Sequence, residues 1–187
     1  EKAYAIRFVG MDTINHSTAW FKMNKAKNFD EWVGALKMQQ IASFNLVYAD
    51  KEDNIYFVHN MKAPKRNSDY DWTKVLPGDD RNLIWTEYHN FTEIPQILNP
   101  DSGYLFSTNQ NPFFVTSKAD NLLIDNFDST MGFQTRTTNR AYRSFELFEG
   151  NESISFNELD NYKHDNKYSY NSRQYRFLKK ILDYDFK

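Results

Sequence analysis

Two β-rich runs, Phe44-Asn45-Leu46-Val47-Tyr48-Ala49 and Ile55-Tyr56-Phe57-Val58-His59, flank the segment Asp50-Lys51-Glu52-Asp53-Asn54. The flanks are rich in β-branched and aromatic residues, while the segment between them holds turn formers and charge. That pattern predicts an antiparallel hairpin. Both runs are nearly continuously apolar rather than alternating, so the strands are expected inside a sheet covered on both faces. A chain with such a hairpin has to supply covering layers for it, which directs attention to helices before and after.

The helical signals are present. Asn28 followed by Glu31 is a capping-box pattern, and Phe29, Trp32, Val33, Leu36 and Gln40 recur at helical spacing, which predicts a helix over 29–41. A short helix is expected over 17–23, and residues 3–9 alternate in the manner of a strand. Residues 61–95 break into Pro64, Pro77-Gly78-Asp79-Asp80 and scattered Trp72 and Trp85, the mark of a long ordered loop held by aromatic side chains. In Asn99-Pro100-Asp101-Ser102-Gly103 the proline presets φ and the glycine accepts a positive φ, so a turn is expected there, with a strand starting at Tyr104-Leu105-Phe106. Further helices are predicted over 140–148, after the Ser155/Glu158 capping box, and over 173–184, where Tyr175, Leu178, Ile181 and Leu182 repeat. Neither an internal repeat nor a sharp shift of composition divides the 187 residues, which fit a single unit.

Composition narrows the function by exclusion. The balance of 23 basic and 25 acidic residues leaves no electrostatic footprint for nucleic acid or an anionic membrane. No run reaches the roughly 20 apolar residues of a membrane span. Without cysteine the chain has no disulfide, thiol nucleophile or thiolate zinc site. The four histidines are scattered, outside any metal-binding spacing, and the six glycines build neither a nucleophile elbow nor a phosphate loop. A self-contained catalytic set is therefore not expected. His59, at the end of an apolar strand, reads as a hydrogen-bonded structural histidine.

Taken in order, the hairpin, Pro64-Lys65-Arg66, Trp85, Asn99-Pro100-Asp101-Ser102-Gly103-Tyr104 and Asn109-Gln110-Asn111-Pro112 resemble the penicillin acylase family of N-terminal-nucleophile amidohydrolases. The large chain of that family runs through the same series. The resemblance covers about residues 20–185 and implies an α+β fold, part of an αββα sandwich whose antiparallel sheets are flanked by helices and long ordered loops. It also implies that residues 1–187 are one segment of the catalytic domain, incomplete at both ends, because Glu1 is not a Ser, Thr or Cys nucleophile. The intact protein would be a self-cleaving, periplasmic or secreted precursor. It would hydrolyse a linear N-acyl amide, such as a penicillin or an N-acyl homoserine lactone, to an acid and an amine. The partners implied are that small-molecule amide and the remaining chains of the same precursor. The rival from another class is a noncatalytic binding or structural module that kept the fold.

The resemblance also assigns roles residue by residue. Asn109 takes the position whose side-chain amide faces the oxygen of the tetrahedral intermediate, although as turn residues both Asn109 and Asn111 would be explained by left-handed tolerance alone. Arg140, before Tyr142-Arg143, matches an arginine that would orient that amide, with Arg136 as a competing assignment. No cofactor is needed for the chemistry. A structural calcium is implied, with Asp120 as a carboxylate ligand and Trp72 offering a main-chain carbonyl; Asp125 and Asp128 are alternatives to Asp120, and the remaining ligands would come from outside these residues.

Overall fold

The computed structural model describes residues 3–184. The first elements are helices α1 (His16–Lys25) and α2 (Phe29–Leu36). Half of the capping box predicted for α2 starts it: the Asn28 side chain accepts from the Glu31 N–H at 2.9 Å, while the Glu31 carboxylate reaches one residue further back than a capping box requires, to the Lys27 N–H at 2.9 Å. The helix ends at Leu36, earlier than the expected 41, because Gln39 enters the left-handed region at φ 49° and its N–H closes on the Leu36 carbonyl at 2.9 Å. This turn frees Ile41 to bury in the core and leaves its carbonyl to the Asn60 side chain at 2.8 Å.

The hairpin forms as expected, with β1 (Ser43–Ala49) antiparallel to β2 (Ile55–Met61) in the register Asn45↔His59, Val47↔Phe57. Its turn is built by Asp50, whose carboxylate accepts from the N–H groups of Glu52 and Asn54, while Asp53 takes φ 62°. A third strand, β3 (Gln96–Leu98), pairs antiparallel to the other side of β2, giving the order β1-β2-β3. Covering on both faces holds for β2, where Tyr56, Phe57 and Val58 are buried. It does not hold for β1, an edge strand in which Phe44 is 50% and Val47 46% exposed.

The two faces of β2 carry separate cores, because alternate side chains of a strand point opposite ways. On one face Tyr56 and Val58 pack with Ala19, Met23, Val33 and Leu36 of the two helices, and Leu46 and Tyr48 of β1 lean in. On the other, Phe57 and Ile97 meet Val115, with Leu105 and Leu122 against them. Irregular chain, not helix, covers this second face.

Two expected strands are absent. Residues 3–9 have no ladder partner among the described residues, and Tyr4, Ile6 and Phe8 are exposed. Residues 104–106 make one bridge-like main-chain bond, from the Phe106 N–H to the Val115 carbonyl at 2.9 Å, and the carbonyls of Tyr104 and Phe106 accept from the side chains of Thr116 and Gln110 instead of from a strand. The predicted loop of residues 61–95 is ordered around Arg66, whose guanidinium lies over the Trp72 and Trp85 rings at 5.4 and 5.1 Å.

The C-terminal part contains α3 (Asn139–Phe148), α4 (Phe156–Lys163) and α5 (Arg173–Leu182). The Ser155/Glu158 capping box starts α4, and Thr138 and Ser172 cap the other two. Through Phe145, Tyr142 and Phe148, α3 packs on Phe114, Tyr104 and Phe106. Arg143 fixes the chain beyond α4 with two bonds to Asp165, at 2.8 and 2.9 Å. No residue of α5 is buried, and Leu178, Ile181 and Leu182 are exposed. The helix ends at Leu182, two residues short of the expected 184.

Candidate active site

The loop of residues 107–112 sits against the second face of the sheet, and its conformation is set from inside by one buried side chain. Gln110 donates to the carbonyls of Phe106 and Phe114 at 3.1 and 2.9 Å, and its Oε1 accepts from the Thr108 N–H at 2.5 Å and the Thr108 hydroxyl at 3.0 Å. With Gln110 fixed beneath, Asn109 is forced to the tip in the left-handed region, at φ 64°. Asparagine is among the few residues that tolerate this.

The two loop asparagines differ in how they spend their amides. Asn111 donates to the Thr135 carbonyl at 3.2 Å and accepts from the Phe113 N–H at 3.0 Å. The exposed side-chain amide of Asn109 makes no hydrogen bond to any described residue. It borders a cleft of about 510 Å³ whose wall also includes His59, Met61, Met131, Phe133 and Arg136. No carboxylate lines that cleft among the described residues.

The sheet reaches the loop through Asn45, whose Nδ2 donates to the Gln110 main-chain carbonyl at 2.9 Å. Asn45 Oδ1 in turn lies 2.6 Å from His59 Nδ1. Since that oxygen can only accept, Nδ1 carries the proton. Burial lowers the pKa of His59, favouring the neutral ring. The expectation of a hydrogen-bonded histidine is met, and its place on the cleft wall is additional. Asn45 and Gln110 were not singled out from sequence, although the hairpin register alone sets Asn45 opposite His59.

The other sequence candidates lie elsewhere. Arg140 is exposed, without an ion pair among the described residues, and lines a neighbouring cleft with Thr108 and Arg143 rather than the one Asn109 borders. Its competitor Arg136 shares the Asn109 cleft. Asp120 organises a turn: its Oδ2 accepts from the Ser102 N–H at 2.8 Å and the Ser117 hydroxyl at 3.1 Å. Those bonds, from Ser102 first, hold its pKa below the usual carboxylate range. The Trp72 indole donates to the Asn67 carbonyl at 2.8 Å within the Arg66 cluster. Among the described residues no group of three or more His, Asp or Glu side chains could hold a metal ion.

Comparisons with known proteins agree on one relationship. The family model described as penicillin amidase matches residues 1–185. Penicillin G acylase of Escherichia coli is 35% identical over 94 residues, which is 50% of this chain and 11% of that protein. The structure of a thermostable penicillin G acylase from Alcaligenes faecalis superposes with a TM-score of 0.68 at 24% identity, covering 92% of this chain and 30% of that one. These residues therefore span a minor part of the length of either relative.

Proposed function

The chain belongs to the penicillin amidase family, and from that premise we infer that it forms part of an amidohydrolase cleaving a linear N-acyl amide to a carboxylic acid and an amine. The observation that supports this reading is the Asn109 amide. It stands free of internal bonds at the rim of a cleft, on a loop tied down at both neighbouring residues.

In such a reaction a nucleophile attacks the amide carbon, and the carbonyl oxygen becomes an oxyanion. A neutral NH₂ donor already fixed in place stabilises charge that develops only on the way to the tetrahedral intermediate, an effect of roughly 3 to 4 kcal/mol per donor. Asn109 is assigned that role. Because its amide has no partner to give up, no internal hydrogen bond is broken when the oxyanion forms. Arg140, from the adjoining cleft, adds positive potential without direct contact; Arg136, on the same cleft wall as Asn109, is the alternative for that part. By the family's chemistry the nucleophile is a Ser, Thr or Cys at a processed N-terminus, with its α-amine as base.

Calcium takes no part in this scheme. Asp120 and Trp72 would supply at most two of the six to eight oxygens the ion needs, and they sit in different local networks. They would contribute to a structural site only with ligands from other segments. No described helix is long and apolar enough to cross a membrane, and a periplasmic or secreted location is part of the reading through the family.

The test uses the full-length processed protein and 4-nitroanilides of phenylacetic and long-chain fatty acids. Asn109→Ala should lower kcat by roughly 100-fold to 1000-fold with little change in KM. Asn109→Gly, which relaxes the positive φ while deleting the donor, should be equally slow and fold at least as well. Normal kcat in the glycine variant, or no turnover of either anilide by the unmodified protein, would refute the reading.

A further inference from the structure

We propose that His59 and Asn45 form a positioning relay that holds the Asn109 amide at its working angle, an inference that rests on the oxyanion role given to Asn109. The relay starts in the hairpin, where Asn45 and His59 stand directly opposite each other on β1 and β2. They share the sheet face that carries Val47 and Phe57, the face turned toward the loop. His59 Nδ1–H donates to Asn45 Oδ1 at 2.6 Å, which dictates which end of the Asn45 amide faces outward. The NH₂ end is therefore presented to the loop and donates to the Gln110 carbonyl at 2.9 Å.

On the far side of residue 109, the Thr108 N–H is held by Gln110 Oε1 at 2.5 Å. Asn109 is thus clamped through both neighbours while sitting at φ 64°, a left-handed conformation that asparagine tolerates and the two clamps hold. One clamp is internal to the loop, and the other comes from the sheet. Only the second ties the amide to the rigid part of the molecule.

A histidine suits the first step of the relay for a specific reason. An aliphatic side chain in its place would leave Asn45 Oδ1 without its donor, so that the carboxamide would be held at one end only, by its bond to the Gln110 carbonyl, and would be free to tilt about it. The ring is steadied by Phe133, with centroids 5.9 Å apart. Kept neutral by burial, it acts through hydrogen-bond geometry rather than charge. His59 and Asn45 are positioning residues, and the reacting atoms meet Asn109.

In the full-length processed protein, active sites are titrated and kcat, KM and Tm measured on phenylacetyl 4-nitroanilide. His59→Leu should lower kcat per titrated site by about 10-fold to 100-fold, the scale on which a displacement near 1 Å slows an enzyme, with KM unchanged. His59→Asn, whose amide nitrogen overlies the Nδ1 position, should recover most of that loss. If His59→Leu does not fold, Asn45→Asp, which keeps the oxygen that His59 meets and turns the donor to Gln110 into an acceptor, should lower kcat at least as far. Normal kcat per titrated site with a lowered Tm, or a leucine and an asparagine variant equally slow, overturns the relay. Asn109→Ala separates the two layers of argument. If it is slow while the relay variants are fast, the relay alone falls; if it is silent, the oxyanion role falls and the relay with it.

Discussion

Asn109 and Asn111 differ, within three positions, in whether the fold engages their carboxamides. Asn111 is consumed by structure, since its carboxamide joins the Phe113 N–H to the Thr135 carbonyl and so ties the loop to the chain leading into α3. Asn111→Ala should cost about 1 to 2 kcal/mol in urea melts, the usual price of one or two hydrogen bonds, and leave kcat per active site nearly unchanged. A loss of kcat equal to that of Asn109→Ala would mean that the loop as a whole, not one amide, carries the effect. Sequence reasoning picked out Asn109 through the series of motifs around it. It could not tell a free amide from a bonded one, because that depends on Thr135 and Phe113, whose proximity appears only on folding. Arg140 illustrates the same limit: its place at the start of a helix was legible, whereas its facing a different cleft from Asn109 was not.

At the scale of elements, local signals were read well and pairing was read poorly. The hairpin, the Ser155/Glu158 capping box, the Asn28 cap of α2 and the turn ending at Gly103 are encoded within a few residues, and each forms. The strand β3 was missed because its three residues between Pro95 and Asn99 are too few to show a period, and β2 recruits them. The strand expected over 3–9 had the right alternation and no partner among the described residues. Continuous apolar character likewise overstated the burial of β1, since a side chain is covered only if another element lies over it. That difference has a measurable consequence. Phe57, fully buried between Ile97 and Val115, should cost about 3 to 5 kcal/mol on replacement by alanine. Leu46→Ala, at a half-buried site on the edge strand, should cost less than the roughly 2 to 5 kcal/mol typical of a core leucine. Denaturant melts of the two variants check the order, and a larger loss at Leu46 would contradict this packing.

For the whole molecule, the proposed chemistry divides labour between this chain and other segments. On that proposal Asn109 would supply the oxyanion donor, Arg140 or Arg136 the positive potential, and a processed N-terminal residue the nucleophile. The 187 residues alone should therefore not release nitroaniline from either anilide, and turnover at about 1 per second or more, an ordinary enzyme rate, would show that they contain a complete site. The exposed apolar side of α5 fits a helix that meets other protein rather than water. The sheet has a further consequence. Both cores lean on β2, so neither can melt alone: losing one would bare a face of the strand on which the other depends. The two halves are joined into a single cooperative unit. The short loop holding Asn109 joins that unit through Asn45 of β1, so what steadies it is the pairing of the hairpin together with the bonds of its own Gln110.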